Sequence, residues 1–327
     1  MGNRLDMVSN LEGVDLNRHD KNNIIKDTPA RIGFKVFNYI LLAALAIVCL
    51  APLWHILMLS FSNPNMIART TGMVLWPLAG TDARGGDLPM TAGGYLIVLK
   101  NSSLIRGYAN TIFYVGAGCF LSIVCAAIGA YCVSRRTLFG AYLIIIMMVS
   151  MFFNGGMIPT YMVNKALGLV NTRWVIVLNG MLSVFNILIL MMAFNNLPQG
   201  LEESAQLDGA GHFTMLFKVA LPLVKASIAV IALFYAIGKW NEYITAQIYI
   251  RNPKLFPLQI ILRQILLDAQ TPAGMDTDIS AVLGKEGNVQ ELVKYCTTIV
   301  GTVPLLCIYP FIQKYFVKGI MIGSMKG

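Results

Sequence analysis

A chain of 327 residues that is 56% hydrophobic and only 13% charged carries more apolar surface than a water-soluble core can hide, which excludes an ordinary globular protein and points to an integral membrane one. Its net charge of +9 comes from Lys and Arg spread over tails and loops, without the basic stripe interleaved with aromatics that nucleic-acid binding needs. Six cysteines sit in apolar runs with no C-x-x-C pair, and three histidines lie far apart with no H-E-x-x-H pattern, so neither disulfides nor a metal site is expected.

Residues 1–35 are polar and mixed in charge. They lack the apolar core and small-residue cleavage site of a signal peptide and read as a cytoplasmic tail. The rest, 36–327, is expected to be all-α, with six runs reaching the roughly 20 apolar residues of a bilayer crossing. These lie near 36–60, 107–133, 141–163, 174–195, 221–243 and 296–316. An even number of crossings puts both termini, including the tail 317–327, on one side with the loop 196–220. The basic N-terminal tail and the compact Ser134-Arg135-Arg136 turn favour the cytoplasm for that side, although Lys and Arg are almost evenly divided between the two faces. Two long segments then face outward. Residues 63–106 carry Pro64, Pro77, a Gly-rich stretch at 80–86 and Gly93-Gly94, which reads as an irregular cap with one short helix. Residues 245–295 include a helical apolar pattern at 258–267, too short to span and expected along the membrane surface or over the bundle mouth.

Polar side chains inside a span are costly unless they meet a partner or water, so their helical phase is informative. Asn179, Ser183 and Asn186 follow i, i+4, i+7 in the fourth run. Ser150, Asn154 and Tyr161 share a face of the third, beside Gly155-Gly156 and Pro159, which should loosen or break that helix. Tyr235, Lys239 and Glu242 repeat the spacing in the fifth, followed by Tyr243. The three faces can converge on a hydrophilic passage whose amides and rings suit sugar hydroxyls and ring faces. The plainer reading of the same residues is hydrogen bonding between helices, with Lys239 and Glu242 paired at i, i+3.

The loop between the fourth and fifth runs reads E-E-S-A-Q-L-D-G-A-G-H-F-T-M-L-F-K-V-A-L-P from Glu202 to Pro222. Its acidic start suits a helix N-terminus, its Ala and Gly residues make a thin helix, and Leu221-Pro222 marks entry to the next span. By composition alone it is an amphipathic connector capping its own bundle. In order, it resembles the EAA loop of permease subunits of bacterial ABC importers: Glu203, Ser204 and Ala205 for the triplet, Gly209 after three residues, then Val219-Ala220-Leu221-Pro222. Phe153 to Tyr161, Leu167 to Thr172, Trp240-Asn241-Glu242-Tyr243 and the closing Met325-Lys326-Gly327 are similar to the carbohydrate-uptake branch, in particular its Lpl/Ytc-type subunits for oligomeric or polymeric saccharides. Ser204 and Val219 depart mildly from the pattern. Lys225 stands where many relatives have proline, which leads one to expect a less kinked start to the fifth helix.

The resemblance implies a six-helix type I permease fold with a cytoplasmic coupling helix, in the bacterial cell membrane with both termini cytoplasmic. It implies a second, similar permease subunit, two cytoplasmic ATPases that hold the ATP and Mg, and an extracytoplasmic solute-binding protein. This chain binds no cofactor on that view, and having no G-x-x-x-x-G-K-[ST] loop it is not itself an ATPase. The coupling residues carried over are Glu203, Ser204, Ala205, Asp208, Gly209, Ala210, Phe213, Leu221 and Pro222. The passage residues are Asn154, Tyr161, Asn179, Ser183, Asn186, Tyr235, Trp240, Asn241, Glu242 and Tyr243. The rival function is a stand-alone secondary carrier for a small polar solute, with Glu242 or Lys239 as its ion-coupled group. An intramembrane enzyme lacks any acid pair, Ser-His pair or ligand cluster within the spans.

Overall fold

The computed structural model describes residues 28–81, 87–88, 90–135, 138–153, 155–268 and 289–324. The first 27 residues of the expected tail, most of the Gly-rich stretch 80–86, Asn154, part of the segment 245–295, and Met325-Lys326-Gly327 lie outside the described residues. In chain order the helices are α1 (Pro29–Ser60), α2 (Gly93–Lys100), α3 (Ser102–Ser134), α4 (Leu138–Phe152), α5 (Met157–Ala166) and α6 (Arg173–Leu178). They continue with α7 (Val184–Asn195), α8 (Gln199–Leu207), α9 (Lys225–Trp240), α10 (Ile244–Tyr249), α11 (Leu258–Asp268) and α12 (Val289–Ser324). Among the described residues the β-structure is one two-residue antiparallel pairing, β1 (Gly80–Thr81) with β2 (Asp87–Leu88).

The chain forms two compact units, Met1–Trp54 and His55–Gly327. In the first, α1 opens on Pro29, where a missing N–H costs nothing, and its apolar side chains are exposed, as suits contact with lipid. In the second, the segment after α1 is an irregular cap, as its Pro and Gly content leads one to expect. Ser62 Oγ donates to Met58 O (2.8 Å) and accepts the N–H of Leu78 (2.8 Å), and His55 Nδ1 accepts that of Val74 (2.9 Å). The cap contains one turn of helix at Pro64–Ile67 as well as α2.

The second unit is built around α3. Asn101 caps it, its Oδ1 accepting the N–H of Ser103 (2.9 Å). Gly107, Thr111, Tyr114, Gly118, Ser122, Ala126 and Ala130 recur every three or four residues and form one buried stripe. Between helices in lipid there is little hydrophobic drive, so association depends on close packing, and small residues permit it. A Cβ on Gly107 would lie 2.5 Å from Ile261 Cδ1. At the Ala126 end, Leu190, Phe194, Met215, Leu216 and Ile231 close around the stripe; at the other, Leu104, Trp240, Leu258, Leu292 and Cys296 do.

Polar groups on α3 fasten the segment before α11. Asn110 Nδ2 donates to Lys254 O (2.9 Å) and Phe256 O (3.0 Å), Tyr114 Oη to Leu255 O (2.7 Å), and Thr111 Oγ1 accepts the N–H of Leu258 (2.8 Å). The short helix expected at 258–267 is α11, and it packs over α3 and α12.

Pro29–Ser60, Ser102–Ser134 and Val289–Ile308 are each long and apolar enough to cross a membrane. Three bent helix pairs raise the number to as many as six. Two expectations change. The run 174–195 is not one helix: α6 stops at Leu178, Gly180 takes φ +68°, and α7 begins only at Val184. The start of the fifth helix is sharply kinked despite Lys225, with 86° between His212–Leu223 and Lys225–Trp240. Pro222 has no N–H for the helical ladder, and Val224 leaves the helical region at φ −98°, ψ 20°, so a proline at 225 is not needed for the bend.

Candidate functional site

The loop between α7 and α9 is a folded object. Gly209 stands at φ +82° after Asp208, the C-cap of α8, a conformation glycine adopts without strain. Its N–H donates to Gln206 O (3.0 Å), and the N–H of Ala210 reaches back to Ala205 O (2.9 Å), which satisfies two terminal carbonyls of α8. Ser204 Oγ donates to Gly200 O within the helix. After a turn at His212–Thr214 the chain runs in wide i→i+5 turns from Met215 to Ala220, and Met215, Leu216 and Ala220 are buried against α3 and α7. Ala205, Ala210 and Leu221 lie half-buried at the seam, while Glu203, Asp208, Phe213 and Pro222 are exposed. Leu207 is 89% and Phe213 74% exposed, the two most outward of the large apolar groups on the loop, ahead of Leu201 and Phe217.

Glu202 pairs with Arg135 at the end of α3. The Arg135 guanidinium lies 4.1 Å from the ring centroid of Tyr131, which meets Phe194 edge-on at 5.9 Å. A cleft of about 710 Å3 opens beside this pair, lined by Ser134, Arg135, Asn195, Glu202, Glu203 and Gln206.

Of the ten passage residues, five meet around one cavity. Asn179, Ser183, Asn186, Tyr235 and Glu242 line a space of about 390 Å3 together with Lys239. Their convergence comes from the break after α6 rather than from a continuous helical face. Tyr235 Oη accepts the N–H of Ser183 (3.3 Å), and Asn179 Oδ1 accepts from Asn164 Nδ2 (3.2 Å). Asn186 is 4% exposed, and its Oδ1 has no hydrogen-bond donor.

Four of the other passage residues stand elsewhere; Asn154 lies outside the described residues. Tyr161 stacks on Tyr249 (5.5 Å), and Trp240 is buried near Tyr108. Asn241 and Tyr243 line a separate cleft with Gln259 and Thr298, where Arg263 sits 4.9 Å from the Tyr243 ring centroid. Lys239 does not pair with Glu242: its Nζ donates to two carbonyls of the α6 end, and Glu242 Oε1 accepts the N–H of Thr245 (3.2 Å) at the start of α10. That acid lies beyond the end of α9, away from mid-helix where an ion-coupled carrier needs one.

Residues 118–322 match the family described as the binding-protein-dependent transport system inner membrane component. The chain belongs to that family. This inner membrane component is therefore a transport protein and not a catalyst, and both the α8 loop and the 390 Å3 cavity fall within the matched residues. It is 33% identical over 295 residues to the polygalacturonan/rhamnogalacturonan transport system permease protein YtcP of Bacillus subtilis (strain 168), covering 90% of this chain and 98% of the relative. It is 34% identical over 303 residues to Protein LplC of the same organism, covering 92% and 97%. Among solved structures, a bacterial ABC transporter involved in the import of the acidic polysaccharide alginate superposes with a TM-score of 0.78 at 29% identity, over 89% of this chain and 99% of that one. The fold of the inner membrane component is thus that of an ABC transporter permease.

For three residues the structural role was not legible in the sequence. Arg135 carries only an orientation signal in the sequence, yet it anchors α8. Asn171, at φ +62°, ties two distant turns: its Oδ1 accepts the N–H groups of Arg251 and Asn252, both at 3.0 Å. Lys239 was legible as an isolated charge in an apolar run, but its partners lie some sixty residues earlier.

Proposed function

We propose that this inner membrane component is one permease subunit of an ATP-driven, binding-protein-dependent importer of a saccharide, an oligosaccharide or polysaccharide fragment. The names of its relatives, which transport polygalacturonan, rhamnogalacturonan or alginate, support that substrate class. On this reading the chain crosses six times, α6 and α7 together forming the fourth crossing, and the side shared by both termini and the loop 196–220 is the cytoplasm. There the loop, α8 included, acts as a coupling helix. A second permease subunit completes the pathway, two cytoplasmic ATPases bind ATP and Mg, and an extracytoplasmic binding protein delivers the sugar.

The observation that carries this reading is the outward presentation of Leu207 and Phe213 on a loop whose far side is fixed in the bundle. Exposed apolar groups on a rigid polar frame fit a protein partner. Closure of the ATPases on ATP moves this loop, and the helices change from inward-open to outward-open. Asn179, Ser183, Asn186, Tyr235 and Glu242 then offer amides, a hydroxyl, a ring and a carboxylate to sugar hydroxyls.

The test is the affinity-tagged complex with Gly209→Val and, separately, Glu203→Lys. A β-branched residue at φ +82° costs about 1–2 kcal/mol and undoes the turn that ends α8. The expected result is loss of the ATPase subunits from the purified complex and of sugar uptake, with the chain still in the membrane. Uptake and ATPase association that survive both changes refute the coupling role.

A further inference from the structure

The break between α6 and α7 leaves peptide groups without helical partners beside the 390 Å3 cavity, and in a membrane protein such groups are tolerated only where protein or cavity water satisfies them. Asn179 N–H makes the last i→i−4 bond of α6, to Val175 O, and a local turn takes up Met181 N–H on Leu178 O, both at 3.1 Å. The carbonyls of Ile176 and Asn179 are taken up from another helix, by Lys239 Nζ at 2.6 and 2.5 Å. Lys239 is 5% exposed, and its stem lies along Gly118 of α3. A Cβ at Gly118 would come within 3.2 Å of Lys239 Cε and 3.4 Å of its Cδ and Cγ.

We propose that Lys239 is a positioning residue, whose side chain ends α6 and holds open the break from which Asn179, Ser183 and Asn186 face the cavity. Nothing else among the described residues donates to the Ile176 and Asn179 carbonyls. Without Lys239 the route to satisfaction that the protein itself offers is continuation of the helix, in which the carbonyl of residue i accepts from i+4. Residues 179–183 then wind up and the cavity is lost, giving the unbroken helix that the apolar run 174–195 suggests. Tyr235, one turn before Lys239 on α9, supports the other end of the break through the Ser183 N–H, so a single helix face supplies both props.

The consequence for transport rests on the passage proposed above, but the geometry can be read without it. The experiment uses the full chain with its native cysteines replaced, in membranes, with Ser183→Cys as reporter and a small charged methanethiosulfonate as probe. Lys239→Met should slow labelling at position 183 by about tenfold or more, the equivalent of one lost hydrogen bond, and Lys239→Arg, which keeps donors, should restore most of the rate. A second reporter, Leu207→Cys on the exposed face of α8, should label equally in all three, which separates a local effect from general misfolding. An unchanged rate at position 183 in Lys239→Met overturns the proposal, as does failure of Lys239→Arg to restore it. If Lys239→Met is not recovered from membranes, Gly118→Ala, which pushes on the lysine stem, takes its place: slower labelling supports the role of Lys239 and an unchanged rate refutes it. Sugar uptake that survives Lys239→Met although labelling at position 183 slows counts against the passage and not against the prop.

Discussion

Arg135 shows how much one side chain contributes at the junction of the loop and the bundle. Its guanidinium pairs with Glu202 and faces the ring of Tyr131, so it holds α8 to the last turn of α3. Both partners of the ion pair are about a quarter exposed, and screening limits the pair to about 1 kcal/mol. A double-mutant cycle with Arg135→Met and Glu202→Gln, followed by thermal unfolding in detergent, should give a coupling of that size. Arg135→Met should be the worse single change, because it also removes a cation–ring contact worth about 0.5–1 kcal/mol. Strictly additive losses would mean that the two side chains are neighbours without mutual stabilisation. None of this was legible beforehand: the Ser134-Arg135-Arg136 turn gave a charge near a membrane face, whereas the partner lies sixty-seven residues on and is reached only through the fold.

At the scale of elements, α3 is where sequence and structure agree most directly. Its apolar run and the spacing of its small residues mark a helix packed on many sides, and neighbours do approach at Gly107 and Gly118. Gly107→Ala should therefore destabilise the bundle by about 1–3 kcal/mol, the usual cost of overpacking. Adding Ile261→Val removes the Cδ1 that would be struck at 2.5 Å and should recover part of the loss in melting temperature. If it recovers none, the Leu258 backbone, 3.3 Å from the same Cβ position, sets the limit instead. The break after α6 was the opposite case. Gly180 in an apolar run is compatible with either a helix or an interruption. What decides between them is a lysine on another helix, and hydrophobic periodicity carries no record of such a donor. Lys225 in place of a proline does not straighten the entry to α9, because Pro222 and the wide turns before it already turn the chain.

For the whole molecule, the order of motifs was more informative than composition. Apolar content points to a membrane protein, yet Lys and Arg divide almost evenly between the two expected faces and leave orientation open; the spaced residues from Glu203 to Pro222 point to the family, and the cytoplasmic side of the loop is part of the proposal. Labelling settles the side. With a membrane-impermeant maleimide, Lys254→Cys should react in intact cells and Leu207→Cys only after permeabilisation; reaction of both from outside, or the reverse pattern, removes the proposed topology.

The grip of α3 at both of its tips has a mechanical consequence. Its 33 residues make a stiff rod of about 50 Å. Arg135 and Tyr131 clasp the acidic helix at one tip, and Asn110, Thr111 and Tyr114 clasp the backbone around Leu255 at the other. If α8 has the coupling role proposed above, a tug on it reaches the segment around Leu255 as the tilt of a single lever arm.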